Sequence, residues 1–180
     1  MRLETERLVL REFVEGDWAA LHAFESLEVV NRYEVYDAHT ETASREYVAK
    51  AIASAAESPP SVVELAITLR GDDTLIGRIG MKRSGHELGI GEIWYGVAPE
   101  HQQRGIATEA ARAFFGHAFT DLGMHRLFGD CDPRNIASAR LMERLGMRRE
   151  AHHVQNLWAK GEWCDSLIYA VLASEWKPSR

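Results

Sequence analysis

Between Val62 and Val97 apolar side chains recur with a period of two, and just after Pro99 the period becomes helical, with only one short glycine-containing loop between the two regimes. Val63, Leu65, Ile67 and Leu69 alternate with their neighbours, Gly71-Asp72-Asp73 reads as a turn, Leu75 to Lys82 follows as a second strand, and a third runs from about Leu88 to Val97. Three strands on short turns make an antiparallel meander, and such a sheet must bury its apolar face under helices. The third strand runs through Glu100 to Gly105 into a helix whose Ala107, Ala111, Phe114, Ala118 and Leu122 form one apolar stripe ending near Gly123.

The flanking segments fit around this block. Leu8 to Arg11 reads as a first strand, and Asp17 is placed to cap a helix starting at Trp18. Thr42 is the expected N-cap of a helix carrying Tyr47, Val48, Ala51, Ile52 and Ala55, which Pro59-Pro60 stops. Downstream, Arg126 to Asp130 is a short strand, Asn135 to Leu145 an amphipathic helix closed by Gly146, and strand signals recur around Val154 and from Leu167 to Leu172. No linker or repeat divides the chain, and 180 residues suit one core. The expectation is a single α+β domain over residues 1–180, built on one mixed, mostly antiparallel sheet with helices on both faces.

Charge and composition exclude several functions. Twenty-seven acidic against 21 basic residues give a formal net charge of -6, which argues against a broad nucleic-acid or anionic-membrane footprint. Cys131 and Cys164 form neither a disulfide framework nor a metal-ligand spacing, and the eight histidines match no zinc motif, so no metal is expected. Met1 to Arg7 is charged where a secretory leader needs an apolar run, and no stretch reaches the ~20 apolar residues of a membrane span. A cytoplasmic protein is the expectation.

Two segments carry chemistry. Gln102-Gln103-Arg104-Gly105-Ile106-Ala107 opens a helix whose first-turn N–H groups lack partners, a setting that binds phosphate and equally serves as a plain helix start. The second is Asp132-Pro133-Arg134-Asn135-Ile136-Ala137-Ser138, leading to Glu143-Arg144-Leu145-Gly146-Met147. Gln-x-x-Gly-x-Ala opening one helix, then Asn-x-x-Ser opening the next with Glu-Arg-Leu-Gly-Met at its end, resembles the GNAT N-acetyltransferase superfamily. With Thr5-Glu6-Arg7-Leu8-Val9-Leu10-Arg11 at the start, the chain is similar to the branch of the ribosomal-protein N-terminal acetyltransferases RimJ and RimL.

The resemblance implies a GNAT-like fold and an acetyl-CoA-dependent transfer to a primary amine, either a protein N-terminal α-amine or a small amine, by direct attack on the thioester. It implies that Gln102, Gln103, Arg104, Gly105, Ile106, Ala107 and Thr108 hold the pyrophosphate of acetyl-CoA, that the backbone of Tyr95, Val97 and Ala98 pairs with the pantetheine arm, and that Asn135 bonds the same arm while Ser138 faces the sulfur. An N-cap is the alternative role for Asn135. An ammonium must lose a proton before it attacks, and Glu92, on the strand face of Trp94 and Gly96, is the expected base, with a solvated strand charge as the alternative. Met142 stands where many relatives place a tyrosine acid, which leaves Ser138, Tyr95 or water to protonate the leaving thiolate. Trp94 is expected to reshape the acceptor pocket, and Trp158, Trp163 and Tyr169 are candidates to line it. A CoA-binding module without chemistry is the competing reading, and a homodimer is compatible with such a domain.

Overall fold

A computed structural model describes residues 1–84 and 89–177. Its strands and helices follow in the order β1 (Arg2–Glu4), β2 (Leu8–Arg11), α1 (Asp17–Glu25), α2 (Glu28–Asn31), α3 (Glu41–Ala55), β3 (Val62–Leu69), β4 (Asp72–Ser84), β5 (Ile90–Val97), α4 (Ile106–Thr120), β6 (Arg126–Cys131), α5 (Ile136–Arg144), β7 (Arg148–Ala159) and β8 (Glu162–Leu172). The eight strands form one sheet in the order β1-β2-β3-β4-β5-β6-β8-β7, antiparallel everywhere except between β5 and β6. The expected start of the third strand at Leu88 lies outside the described residues. Among those described, no helix is long and apolar enough to cross a membrane.

Alternation along β3 explains the layering. Val63, Leu65 and Ile67 join the larger core with Phe114, Phe115 and Ala118 of α4 and Leu141 and Met142 of α5. Ala66, between them, joins a second core with Leu21 and Phe24 of α1 and Val48 and Ala51 of α3. Opposite pleats therefore bury against opposite helical layers.

Local chemistry moved some boundaries. The N-cap of α3 is Thr40, whose hydroxyl accepts from the Ala43 N–H, rather than Thr42. Asp17 is the first residue of α1 and not its cap: Arg11 grips its carboxylate through Nη1 and Nη2 at 2.7 and 2.9 Å, and the Val14 N–H donates to it at 2.8 Å. A buried ion pair thus ties α1 to β2. The last two strands are far longer than their apolar residues indicated. They form a hairpin across Lys160 and Gly161, whose positive φ angles of 50° and 82° suit the right-handed twist of the strands.

Candidate active site

The topology opens the sheet at one place. β5 pairs with β6 only through Ile90, Gly91 and Glu92, against Arg126, Leu127 and Phe128. Beyond that point β5 continues to Val97 on β4 alone, while β6 continues to Cys131 on β8. The two parallel strands are therefore prongs of a fork. The Ala98 N–H donates to Ile76 O at 2.9 Å beside the Val97–Gly77 pair, so the backbone groups of Tyr95 and Val97 point away from β4 and into the fork. Ala98 differs from its expected part, because its N–H is taken by Ile76 and its carbonyl accepts from His101 N–H. The Val97 carbonyl accepts from the Gln102 side chain at 2.9 Å, which ties the following loop to the prong.

That loop turns through left-handed residues. Gln103 has φ 58° and Gly105 has φ 77°, a conformation that costs a side-chain-bearing residue about 1–2 kcal/mol and that glycine adopts freely. The backbone N–H groups from Gln103 to Thr108 have no protein acceptor among the described residues, whereas Gln102 N–H is bound to Pro99 O and Glu109 N–H to Gly105 O. A row of unpaired donors at the head of a 15-residue helix has the geometry that suits an anion. Sequence reasoning missed its brace. Arg7 donates to the Arg104 carbonyl at 3.0 Å and to Glu109 at 2.6 Å, and Thr5 donates to Glu109 at 2.6 Å.

Asn135 and Ser138 stand across the fork at the head of α5. Asn135 Oδ1 accepts from the Ser138 N–H at 3.1 Å, so it caps the helix as the alternative reading held, and its Nδ2 has no partner among the described residues. The Ser138 hydroxyl lies 2.8 Å from the Tyr95 hydroxyl. Burial holds the Tyr95 phenol well above its usual range. The neighbouring Cys131 thiol is also raised by burial, to about 11, and so stays protonated and non-nucleophilic at neutral pH.

Asn135 and Ser138 open onto a cleft of about 190 Å³ that is shared by the 32–35 segment, the end of β6 and the β7–β8 hairpin. Several expected residues lie elsewhere. Glu92 is exposed, sits in the closed stem of the fork opposite Phe128, and is not part of the cleft wall. Period two correctly assigned its face, but its distance along the strand keeps it from the open prongs. Trp158 and Trp163 stack edge to face on the hairpin and are more than half exposed, whereas their neighbours Leu157, Ala159, Glu162 and Cys164 line the cleft. Tyr169 is core, its hydroxyl donating to Glu143. Met142 is buried in the same core.

Trp94 lies over Gly80 instead of lining the cleft; a Cβ on Gly80 would approach the indole to 2.7 Å. Its Nε1 donates to Glu64 at 2.7 Å, in a buried network that no motif announced. Arg78 donates to Glu25 at 2.7 Å, to the Tyr47 hydroxyl at 3.0 Å and to the Tyr36 hydroxyl at 2.8 Å, and the Tyr47 hydroxyl donates to Glu64. Burial lifts the Glu64 carboxyl to about 7, against the opposing pull of Arg78 and Trp94. Folded protein then holds this proton more tightly than unfolded chain, so the contribution favours folding at low pH and is lost as pH rises through about 7. Glu64→Gln is expected to gain stability relative to the parent chain between about pH 5 and about pH 8, in urea unfolding at each pH. A gap that does not change with pH would contradict this.

Comparison with known proteins follows the same geometry. An acetyltransferase (GNAT) domain family model matches residues 7–148. The chain is 34% identical over 178 residues to the uncharacterized N-acetyltransferase YnaD of Bacillus subtilis, covering 98% of this chain and 99% of that one. It is 28% identical over 88 residues to the Escherichia coli ribosomal protein uS5 alanine N-acetyltransferase, covering 49% and 45% of the two. The crystal structure of a GNAT-family acetyltransferase from Bacillus anthracis superposes with a TM-score of 0.87 at 31% identity, over 97% of this chain and 100% of the other.

Proposed function

The chain belongs to the GNAT acetyltransferase family, and on that premise we propose that it carries an acetyl group from acetyl-CoA to a primary amine by direct attack on the thioester. The observation that carries this reading is the fork with its two flanking helix heads, which offers a donor row for phosphate, an exposed strand backbone for an amide-bearing arm, and a hydroxyl pair where the arm would end. In this reading Gln103 to Thr108 bind the pyrophosphate through N–H groups, with the Arg104 side chain adding a charged donor and Gln102 holding the loop to Val97. Tyr95 and Val97 pair with the pantetheine arm like a missing strand, and the unpartnered Nδ2 of Asn135 donates to it. Ser138 faces the sulfur and supplies its proton, with Tyr95 behind it. The raised Cys131 thiol favours one direct transfer over an acetylated enzyme.

The acceptor is a protein N-terminal α-amine or a small amine. The likeness to the uS5 alanine acetyltransferase supports the first, and the acidity of the cleft favours a cation of either kind. The chain fits a cytoplasmic setting in which acetyl-CoA is supplied.

Calorimetric titration with acetyl-CoA tests the shared premise. The parent chain is expected to bind with a dissociation constant in the micromolar range, about -8 kcal/mol, and Arg104→Ala combined with Asn135→Ala to weaken binding tenfold or more. Absence of binding at about millimolar acetyl-CoA would overturn the reading. Binding without turnover on any amine would instead favour a CoA-binding module, the reading prompted by Met142.

A further inference from the structure

The turn between β1 and β2, residues Thr5 to Arg7, is a hundred positions from the head of α4 in sequence and joined to it in space. Arg70, just past β3, fixes this turn, donating through Nε to the Thr5 carbonyl at 2.7 Å and through its backbone N–H to the Arg7 carbonyl at 2.8 Å. From the fixed turn four donors reach one carboxylate. Glu109 Oε1 accepts from the Thr5 hydroxyl at 2.6 Å and from the Arg7 N–H at 3.0 Å, and its Oε2 accepts from Arg7 Nε and Nη2, both at 2.6 Å. Arg7 Nη1 reaches past Glu109 to the Arg104 carbonyl at 3.0 Å.

Stability alone explains little of this arrangement. The Arg7 side chain is 46% exposed, and an ion pair so open to water contributes only about 0–1 kcal/mol. Its effect on the loop is larger. The peptide joining Arg104 to Gly105 is trans, so its C=O and N–H point in opposite directions, and a carbonyl held by Arg7 sends the Gly105 N–H away from Arg7. That N–H belongs to the row without an acceptor among the described residues. Glu109 presents the opposite influence, because a carboxylate in the first turn of α4 competes with any bound anion for the positive end of the helix. Partial burial pushes its carboxyl up, but the donors from Thr5 and Arg7 outweigh this and hold it below the usual range, so it stays charged at neutral pH. None of those four donors comes from the head of its own helix, and the two-pronged guanidinium balances the charge.

We propose that Arg7 is a positioning residue for the pyrophosphate of acetyl-CoA: through the Arg104 carbonyl it aims the Gly105 N–H, and through Glu109 it neutralises the acid in the first turn of α4. This assignment rests on the acetyl-CoA reading and adds to it the residue that sets cofactor affinity. Arg7 acts from behind the loop. Its Nη2 lies 3.4 Å from where a Cβ on Gly105 would stand, so the guanidinium backs the left-handed glycine on one side and leaves the donor row free on the other. Thr5 completes the arrangement: its hydroxyl accepts from the Leu8 N–H at 2.9 Å and donates to Glu109, which keeps the carboxylate turned toward β2.

The test is calorimetric titration of the full chain with acetyl-CoA, beside Arg7→Met, Arg7→Lys and Glu109→Gln. Arg7→Met is expected to weaken binding about tenfold, and Arg7→Lys about threefold, since one ammonium can balance Glu109 but cannot also hold the Arg104 carbonyl. Glu109→Gln is expected to tighten binding about threefold, because the carboxamide oxygen still accepts while the negative charge goes and Arg7 stays. A brace that served only the fold would lose affinity whichever partner was changed. Melting temperatures of all three variants are expected within about 4 °C of the parent, as suits an exposed ion pair. On an amine that is turned over, the Arg7→Met loss is expected in the KM for acetyl-CoA and far less in kcat. If Arg7→Met does not fold, Arg7→Lys and Glu109→Gln keep the test decisive through their opposite signs. If the parent chain binds acetyl-CoA and the Arg7 variants bind within about twofold of it, or Glu109→Gln loses as much affinity as they do, the proposal is overturned and the cofactor reading stands. If the parent chain does not bind, the cofactor reading falls and this assignment with it.

Discussion

Replacing Arg78 by methionine is expected to destabilise the protein by about 3–5 kcal/mol. Arg78 is 7% exposed and lies on β4 under α1. Its guanidinium donates to Glu25, Tyr36 and Tyr47 and stands 3.8 Å from Glu64. Methionine fills much of the same volume but strands the buried Glu25 carboxylate and leaves the Tyr36 and Tyr47 hydroxyls without their donor, and the cost is set by that uncompensated charge more than by the lost contacts. For a chain of this length the melting temperature should fall by about 10 °C. Arg78→Lys should rescue little, since a single ammonium cannot serve acceptors on α1, α3 and the 36 segment together. A melting temperature within about 2 °C of the parent for Arg78→Met would show that water already compensates this acid.

Ser138→Ala should give the largest loss of turnover from a change that leaves the fold intact. The hydroxyl contributes no helix cap, because Asn135 binds the Ser138 backbone N–H and that bond survives the substitution. What disappears is the donor 2.8 Å from Tyr95 at the cleft floor. Loss of a general acid costs about 10²–10⁴-fold, so kcat on an active amine should drop by at least about 100-fold with acetyl-CoA affinity little changed. Tyr95→Phe should cost less, since in the proposed reading it reaches the sulfur only through Ser138. A kcat within about twofold of the parent for Ser138→Ala would assign the proton to water and remove Ser138 from the chemistry.

How far the sequence reveals this site follows from range. The turn into α4 was legible because its signals are local: a glycine needed at φ 77°, a helix head, and an apolar stripe starting at once. Asn135 and Ser138 were legible for the same reason, three residues apart at one helix start. That Glu92 stands in the stem of the fork was not legible, because alternation states which face a residue occupies and says nothing about where a neighbouring strand departs. The β7 strand read poorly because most of its side chains are exposed and a bulge between His153 and Leu157 breaks its alternation. Glu25, Glu34, Glu64, Arg78 and Asp130 come from α1, the segment after α2, and three different strands, so no spacing joins them.

The order of the elements apart from the short β1 and α2, the two-layer burial and the glycine-led head of α4 were determined by the sequence alone, through periodicity and glycine placement that act within a few residues. The fork depended on the tertiary structure, since it arises where β5 stays with β4 while β6 stays with β8. So did the division of the acids into paired and unpaired. Whether a carboxylate finds an arginine is settled by packing across the whole chain, and at this cleft Arg134 reached Asp132 and Glu162 while Glu34 and Asp130 form no ion pair among the described residues.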